Sequence, residues 1–265
     1  MNEQAYANEP LRVLGILQAR ASSSRLPGKV LMPILGKPML ALQIEREHRS
    51  RMIDRLIVAT SEEDSDDPIQ ELCQTLGVQC HRGSLRDVLD RFYGAARQSP
   101  TPWIVRLTGD CPLADPEVID STIEFCIKND YDYASNSLEP TFPDGLDVEV
   151  FKFSALETAW QEATLLSDRE HVTPFIHKNR SRFRVGCYKN DRDLSDLRWT
   201  VDEPEDFELI RRVYEALYPE NPEFGYREVL ALMNSNPELK ELNSQYVRNE
   251  GYLRSLADDE ATENP

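Results

Sequence analysis

A loop near the amino terminus concentrates positive charge in a chain whose formal net charge is −17. It reads Q-A-R-A-S-S-S-R-L-P-G-K (residues 18–29) and carries Arg20, Arg25 and Lys29 among small residues. Small residues let a ligand approach the backbone closely, and successive backbone N–H groups can form an anion-binding concavity. Such a loop suits a triphosphate. It contains neither the P-loop pattern G-x-x-x-x-G-K-[ST] nor the dinucleotide pattern G-x-G-x-x-G, so neither of those sites is predicted.

Acids close by in sequence do not offset the charge of this loop. No Asp or Glu lies between Pro10 and Ile44, where an even spread of the chain's 47 acids would place about six. We therefore expect the loop cations to lack acidic partners in the folded protein, because their partner is the substrate. The alternative is that they are solvated surface cations.

Two aspartates follow short apolar segments and are candidate ligands of Mg²⁺, which accompanies most triphosphates. Asp110 lies in T-G-D-C-P-L (108–113), and Asp202 lies in R-W-T-V-D-E-P-E-D-F (198–207). Mg²⁺ commonly takes one or two protein carboxylates and completes its shell with phosphate oxygens and water. Each aspartate also has a plainer interpretation, Asp110 as a turn residue and Asp202 as the cap of a helix that begins near Pro204.

The composition is that of an ordinary globular protein. The chain has 265 residues, of which 40% are hydrophobic and 29% charged, so it can form one large domain. No apolar run approaches the roughly 20 residues of a membrane span, and no signal peptide is recognisable, so we expect a cytoplasmic protein without a membrane partner. The net negative charge argues against nucleic acid as a partner. The five scattered cysteines are expected to be reduced thiols.

Strand and helix patterns alternate through the first half of the chain. Short apolar runs typical of buried parallel strands lie at 11–18, 54–61, 78–80 and 103–108. Helical patterns lie at 38–49, 65–76 and 87–97. Another helix is predicted after Asp115, which caps it, with Pro116 at its first position. This alternation predicts an α/β fold with a mostly parallel sheet, whose ligands bind beyond the carboxyl ends of the strands.

The pattern changes in the second half. Segments 146–153 and 183–188 alternate apolar and polar residues, which predicts half-buried strands. We expect them to leave the main sheet as an antiparallel arm, about 138–190, that pairs two subunits in a homodimer.

The ends of the chain differ in pattern from this central part. A closing helix is predicted at 203–217. The expected organisation is a single domain over 11–245, with flexible tails at 1–10 and 255–265 because both ends are polar and poor in apolar residues.

Five motifs in order carry a family resemblance: Q-A-R-A-S-S-S-R-L-P-G-K-V-L, T-G-D-C-P-L-A-D-P, F-P-D-G-L-D-V-E-V-F, D-R-E-H-V-T-P-F-I and T-V-D-E-P-E-D-F. Together they closely resemble the spore-coat-polysaccharide-type cytidylyltransferases, which are akin to CMP-KDO and CMP-sialate synthetases. The resemblance covers residues 12–245. It implies a Rossmann-like nucleotidyltransferase fold with a dimerisation arm. The implied reaction converts CTP and an acidic sugar to a CMP-sugar and pyrophosphate.

The resemblance also implies roles for individual residues. Asp110 and Asp202 would hold Mg²⁺, and Arg25, Lys29 and Asp110 would be catalytic. The residues implied in nucleotide binding are Ala19, Arg20, Ser23, Ser24, Arg25, Lys29, Thr60, Arg82 and Thr108. Of these, the first six belong to the phosphate loop, whereas the segments around Thr60 and Arg82 would line the base and ribose.

The acceptor sugar would meet residues of the second half. The candidates are Asn136, Glu149, Arg169 and His171, with Asp144 and Asp147 as further possibilities. Arg169 could pair with a sugar carboxylate through two hydrogen bonds. Each of these residues could instead be a surface or capping residue. One departure concerns the segment before Asp110, where CMP-KDO enzymes usually have V-Q-G-D and this chain has V-R-L-T-G-D, with Arg106.

Two alternatives stay open at this point. The same fold could serve another nucleotide or acceptor, as in a UDP- or GDP-sugar pyrophosphorylase or a phosphonate or phosphosugar cytidylyltransferase. A protein of a different class, a regulatory nucleotide-binding protein without turnover, would bind CTP and release no pyrophosphate.

Overall fold

The computed structural model describes residues 12–248, 250–252, 255, 256 and 259. Its strands are β1 Val13–Gln18, β2 Pro33–Ile34, β3 Lys37–Pro38, β4 Arg55–Ser61, β5 Gln79–Gly83, β6 Trp103–Thr108, β7 Tyr133–Ser135, β8 Glu149–Lys152 and β9 Val185–Cys187. Its α-helices are α1 Met39–Glu47, α2 Asp67–Leu76, α3 Val88–Arg97, α4 Pro116–Lys128, α5 Phe153–Glu162, α6 Leu166–His171, α7 Pro174–Lys178, α8 Pro204–Leu217, α9 Tyr226–Ser235 and α10 Glu238–Glu241.

Seven strands form one central sheet in the order β5-β4-β1-β6-β8-β7-β9. The first four of these strands are mutually parallel. β8 runs antiparallel to β6 on one side and to β7 on the other, whereas β9 is parallel to β7. The predicted α/β fold with a mostly parallel sheet and antiparallel strands is therefore confirmed. The alternating segments 146–153 and 183–188 contain β8 and β9, and both strands extend the central sheet within the subunit. The expectation that these two segments leave the main sheet is therefore wrong.

Two hydrophobic clusters cover the two faces of this sheet. In β1, Val13 and Leu17 belong to one cluster, and Leu14 and Ile16 to the other. The first cluster packs against α1, α2, α4, α8 and α9, and the second against α3, α5 and α7. Because β1 is buried on both faces, its sequence is a continuous apolar run without alternation.

A close backbone approach fixes the segment that carries Asp202. Gly145 has φ 106°, a left-handed value that favours glycine. A Cβ atom at this position would lie 2.5 Å from the backbone nitrogen of Thr200. The Trp199 N–H donates to the Asp144 carbonyl at 2.6 Å, and the Val201 N–H donates to the Asp110 carbonyl at 2.8 Å. The P-D-G turn thus holds the Asp202 segment beside the end of β6.

The chain ends lie largely outside this description. The predicted tail at 1–10 lies outside the described residues, as does most of the predicted tail at 255–265. Within the latter, Ser255 is helical and donates to Glu170 at 2.9 Å, and Asp259 accepts from the Ser167 N–H at 3.2 Å. No helix within the described part of the chain has the length and apolarity needed to cross a membrane.

Candidate active site

A cavity of about 750 Å³ opens beyond the carboxyl ends of β1 and β6. We call one side of it the loop end, which is lined by Ser23, Ser24, Arg25, Lys29, Asp110 and Asp202. The other side is the far end, which is lined by Arg106, Tyr133, Glu149, His171, Thr173 and His177. Ala19, Arg20 and Thr108 also contribute to the cavity wall. Most of the nucleotide-site residues predicted from the sequence therefore share one cavity.

The loop after β1 is held in shape by its own backbone and by one distant aspartate. The N–H groups of Ser23 and Gly28 donate to the Ala21 carbonyl at 2.9 and 2.8 Å. Gly28 has φ 71°, which a residue with a side chain adopts only under strain. The Ala21 N–H donates to Asp66 Oδ1 at 2.7 Å. The loop is therefore built into the fold and presents its cations from a defined backbone.

Lys29 is buried between the two predicted metal ligands. Its ammonium group is 2.8 Å from Asp202 Oδ1 and 3.5 Å from Asp110 Oδ2, and it donates to the Val201 carbonyl at 2.6 Å. Burial opposes the positive charge, but Asp110 and Asp202 outweigh it and raise the pKa of Lys29 above its ordinary value. Burial likewise opposes the charge of Asp110, and Lys29 outweighs it and lowers the pKa of that carboxyl.

Arg25 also has acidic partners. Its guanidinium lies 2.8 Å from Asp202, 3.4 Å from Glu203 and 3.2 Å from Glu250. The expectation that the loop cations lack acidic partners is therefore wrong for Arg25 and Lys29. The acids come from positions more than 80 residues away along the chain, so the local charge pattern could not reveal them.

A buried arginine missed by the sequence analysis orients Asp202. Arg198 donates to Asp206 through two nitrogens at 2.9 Å and lies 3.4 Å from Asp202 and 3.3 Å from Asp144. The N–H of Asp202 in turn donates to Asp206 at 3.0 Å. The cap residue of α8 is Glu203, so Asp202 does not have the capping role proposed as its plainer interpretation.

Asp144 and Asp147 lie between the two ends of the cavity and face two arginines. Arg248 donates to Asp147 and lies 3.8 Å from Asp144, which Arg198 also approaches. Burial, and then the charge of Asp147, raise the pKa of Asp144 to about 7 in spite of Arg248 and Arg198. Both aspartates line the cavity, as the sequence suggested.

At the far end, Glu149 accepts hydrogen bonds from three side chains. Arg106, Tyr133 and Thr173 all donate to its carboxylate. Arg106 is itself fixed by Gln18, whose oxygen accepts from Nε at 2.9 Å. Burial opposes the charge of Glu149, but Arg106 and the two hydroxyl groups outweigh it and lower the pKa of the carboxyl. Glu149 is thus a predicted acceptor-site residue that is fixed in position at the cavity wall.

A strained turn directs two neighbouring residues into this end. Val172 has φ 72° and ψ −53°, and the Thr173 N–H donates to the His171 carbonyl at 2.8 Å. These values describe a γ-turn of the rare, strained form. Val172 is fully buried, whereas His171 and Thr173 on either side of it line the cavity. Strain of this kind concentrates at functional sites, so the turn marks the D-R-E-H-V-T-P segment as part of the site.

His171 is held as a neutral group. Its Nε2 is 2.9 Å from the Ser255 hydroxyl, and its ring packs edge-on against Tyr252. Burial, and then the positive charge of Arg106, lower the pKa of His171 to about 4. At neutral pH it therefore offers hydrogen bonding without charge.

Four predicted site residues lie away from the cavity wall, because each side chain is bound elsewhere. Thr60 is buried and donates to Asp66 at 3.0 Å, and Arg82 bonds the Ser61 and Glu63 carbonyls as well as Asp67 and Gln70. Asn136 bridges the backbone of Leu146 and Val148. Arg169 forms a two-nitrogen pair with Asp87, which caps α3. The roles predicted for these four residues in nucleotide or acceptor binding therefore have no support from the described geometry.

Several cavity residues were missed, namely Gln18, Arg91, Tyr133, Thr173, His177 and Arg198. Arg106 was noted only as a departure from a motif. An arginine in the middle of an otherwise apolar strand was the signal for a ligand-facing position. Nothing local in the sequence distinguishes Arg91 or Arg198 from surface arginines.

Comparison with known proteins identifies the family of this chain. A family model described as cytidylyltransferase matches residues 14–246. The chain belongs to the cytidylyltransferase family. It is accordingly a nucleotidyltransferase, and its α/β fold is that of an enzyme of this kind.

Individual relatives of this cytidylyltransferase cover nearly all of it. An uncharacterised protein of Methanocaldococcus jannaschii is 39% identical over 91% of this chain and 98% of its own length. The spore coat polysaccharide biosynthesis protein SpsF of Bacillus subtilis is 33% identical over 85% of this chain and 95% of its own length. The solved structure of a cytidylyltransferase from Leptospira borgpetersenii is 32% identical, covers 89% of this chain and 98% of that one, and superposes with a TM-score of 0.83. The resemblance to the spore-coat type is confirmed.

Proposed function

We propose that this cytidylyltransferase transfers CMP from CTP to an acidic sugar of the KDO or nonulosonate kind, releasing pyrophosphate, in surface polysaccharide biosynthesis. The observation that carries the proposal is the convergence of Lys29, Asp110 and Asp202 at one wall of a cavity large enough for a nucleotide and a sugar. The motif resemblance to CMP-KDO and CMP-sialate synthetases supports the acidic acceptor.

The loop end would bind the triphosphate by an exchange of partners. Arg25 and Lys29 contact carboxylates in the structure, and a triphosphate offers them oxygens of higher negative charge. Arg20 lines the cavity without an ion pair to any described residue, and the backbone N–H groups of the small-residue loop add further donors. Because the loop backbone is held in place before the substrate arrives, its N–H groups would need little reorganisation during the reaction.

The two aspartates suit a bound Mg²⁺. Both carboxylates lie within 3.5 Å of one ammonium group, so they already converge on a single positive charge. Among the described residues no group of three or more His, Cys, Asp and Glu side chains forms a metal cage. The pair of carboxylates matches Mg²⁺, which takes one or two carboxylates and completes its coordination shell with water and substrate phosphates. When bound, Mg²⁺ supplies charge stabilisation to the α-phosphate and the leaving pyrophosphate.

The chemistry needs no covalent enzyme intermediate. An acceptor oxygen attacks the α-phosphorus in line, and the bond to pyrophosphate breaks on the opposite side. The protein positions the two substrates and stabilises the charge that moves to the pyrophosphate, for which Arg25 and Lys29 are the cations at hand. The fixed side chains of the far end, Glu149, Thr173 and His171, would orient the sugar.

The test is pyrophosphate release from CTP with KDO, sialic, legionaminic and pseudaminic acids as acceptors. We expect CTP and Mg²⁺ to be required and one acid to be strongly preferred. UTP, GTP and ATP serve as matched nucleotides. CTP binding without pyrophosphate release for any acceptor, or release with another nucleotide, would contradict the proposal.

We also propose a two-fold homodimer paired through the region about 138–190, as the family resemblance implies. Light scattering at micromolar concentration should give about twice the 30.4 kDa mass of the chain. A monomer at that concentration would contradict this assembly.

A further inference from the structure

A buried arginine in the cavity wall has no role in the proposed catalytic chemistry. Arg91 lies on α3, is only 2% exposed and lines the cavity. A Cβ atom at position 83 would lie 3.0 Å from its Cγ, so Gly83 leaves the space that this side chain occupies. One terminal nitrogen donates to the Ser84 carbonyl at 2.7 Å, and Nε is buried without a hydrogen-bond partner.

Within the described residues, Arg91 has no carboxylate within ion-pair distance. Asp66 is the acid whose negative charge acts on Arg91, but its carboxylate oxygens already accept hydrogen bonds from other groups. Asp66 Oδ1 accepts from the Ala21 N–H, and Oδ2 accepts from Thr60 and Ser61. The remaining charges that act on Arg91 are those of Arg20 and Arg106, both of which line the same cavity. Burial, and then Arg20, lower the pKa of the Arg91 guanidinium to about 10, which still leaves it charged at neutral pH.

A buried, unpaired cation beside two further cations is unfavourable in the free protein. Burial of a charge costs several kcal/mol unless it is paired. Arg106 is paired with Glu149, but Arg20 has no ion pair to any described residue, so this part of the wall holds uncompensated positive charge. An anionic ligand group placed there would supply the missing charge.

We propose that Arg91, assisted by Arg20, binds the carboxylate of the acceptor sugar; this assignment rests on the proposed function. From the sequence, that role was predicted for Arg169, whose guanidinium is instead paired with Asp87. The triphosphate already has Arg25 and Lys29 beside the metal-site aspartates. Arg91 and Arg106 line the same cavity, and Arg106 contacts Glu149 at the far end, where the acceptor would lie. An arginine donates several charge-assisted hydrogen bonds to a carboxylate, and only one of its bonds, to Ser84, is formed here.

The shared chemistry is recognition of an oxyanion, and the experiment must separate the acceptor's carboxylate from the phosphates of CTP. We would measure binding by calorimetry, with Mg²⁺ and a non-hydrolysable CTP analogue present. The ligands are KDO, sialic, legionaminic and pseudaminic acids, each compared with its methyl ester. The proteins are the wild type, Arg91→Met, Arg91→Lys and the control Arg97→Met, an exposed arginine on the same helix. Affinity for the CTP analogue alone is measured for each protein.

The proposal predicts a selective loss. Arg91→Met should weaken the preferred acid by about 10- to 100-fold, with less than a threefold change for its ester and for the CTP analogue. Arg91→Lys should restore part of the loss, and Arg97→Met should behave as wild type. Thermal unfolding should show that Arg91→Met remains folded, since removal of an unpaired buried charge does not destabilise the core.

Three other results would overturn the assignment, and one of them also bears on the proposed function. If Arg91→Met weakens the CTP analogue as much as the acid, the anion is a phosphate. If neither ligand responds, Arg91 is not in a binding site. If the wild-type protein binds the CTP analogue but no acid better than its ester, the carboxylate assignment falls and the acidic acceptor falls with it, while the nucleotide half of the proposed function stands.

Discussion

The two ends of the cavity neutralise their charges in different ways. At the loop end, Arg25 and Lys29 contact Asp110 and Asp202, so the groups expected to bind the triphosphate and the metal contact one another. At the far end, the Glu149 carboxylate is saturated by Arg106 and two hydroxyl groups, all on regular elements or beside a strained turn. Under the proposed function, the loop end would exchange partners when substrate binds, whereas the far-end groups would keep the partners they have.

This contrast explains how a strongly acidic protein could hold the proposed triphosphate site. Without ligand, four charged side chains at the loop end compensate one another, which avoids the cost of an isolated buried charge on Lys29. A triphosphate with its metal offers both charges at once: anions for the cations and a cation for the carboxylates. Substitutions at the loop end should therefore change nucleotide binding and turnover, and substitutions at the far end should change use of the acceptor.

The largest effect is expected for Asp110→Asn. Loss of a proposed metal ligand should reduce turnover by about 1,000-fold, because charge stabilisation worth several kcal/mol disappears. Thermal stability should change little, since Lys29 retains Asp202 and the Val201 carbonyl. Steady-state pyrophosphate release at saturating Mg²⁺ measures the loss, and Asp193→Asn, at an exposed aspartate that accepts hydrogen bonds from Ser195, is the control. Turnover within tenfold of wild type would remove Asp110 from the metal site.

Arg25→Ala should weaken CTP by about 10- to 100-fold and CMP by less than threefold. The reason is that a cation reaching the β- and γ-phosphates distinguishes the two nucleotides, and each charge-assisted contact is worth roughly 1.5–3 kcal/mol. Lys29→Met should show the same selectivity with some loss of stability, because Asp110 would then lose the ammonium group that it faces, whereas Asp202 would keep Arg25 and Arg198. Calorimetric titration of both nucleotides with Mg²⁺ is the measurement. Lys37→Ala, an exposed cation paired with Glu45, is the control, and equal small losses for CTP and CMP would refute the triphosphate role of the loop.

Glu149→Gln tests the far end and should affect use of the acceptor. It removes the negative charge that positions Arg106, so kcat/KM for the acceptor should fall by about tenfold while KM for CTP stays within twofold of wild type. The exposed pair of Glu139 and Lys189 provides the control substitution Glu139→Gln. A rise in KM for CTP as large as the acceptor effect would show that the two ends do not act separately.

The neutral state of His171 predicts a pH dependence of stability. The pKa of His171 is about 4 in the folded protein and about 6.5 in an unfolded chain, so the unfolded state binds more protons between these values. The stability contributed by the neutral ring is present above pH 6.5 and is lost as pH falls toward 4. Relative to His171→Gln, the wild type should lose about 1–2 kcal/mol between pH 7 and pH 5 in urea unfolding. Identical pH profiles for the two proteins would contradict the neutral assignment.

The smallest effect is expected for Arg82→Ala, since Arg82 is bound to backbone carbonyls and Asp67 away from the cavity wall. KM for CTP should change by less than about twofold, because an exposed ion pair contributes only about 0–1 kcal/mol. A tenfold rise in KM would restore the nucleotide-binding role that the sequence predicted for this residue.

The predictions that the structure confirms depend on residues that are close together in the sequence. Buried parallel strands read as continuous apolar runs, and the pattern of β1 is visible in the sequence alone. The helix start at Asp115 was predictable because its cap and Pro116 are adjacent, and the structure has Asp115 accepting from Glu117 and Val118. The position of the loop followed from the rule that ligands bind beyond the carboxyl ends of parallel strands.

Side-chain partners were much harder to predict. Arg169 and Asn136 were plausible ligand-binding residues by type. In the structure, however, Arg169 is paired with Asp87, and Asn136 forms hydrogen bonds with the backbone of Leu146 and Val148. Hydrogen-bonding capacity is visible in a sequence, but whether it is already satisfied depends on distant chain segments.

By itself the sequence determined the alternation of the four parallel strands with helices in the first half, the small-residue cationic loop, and the two aspartates that follow apolar segments, since each depends on residues close together in the chain. Only the tertiary structure decided that Asp202 faces Lys29, that Glu149 holds Arg106, and that Arg91 is buried with no acid of the described residues at ion-pair distance. These facts depend on contacts between segments as much as 173 residues apart. Charge is summed over space and not along the chain, so the charge balance of a site exists only once the sheet has brought its segments together.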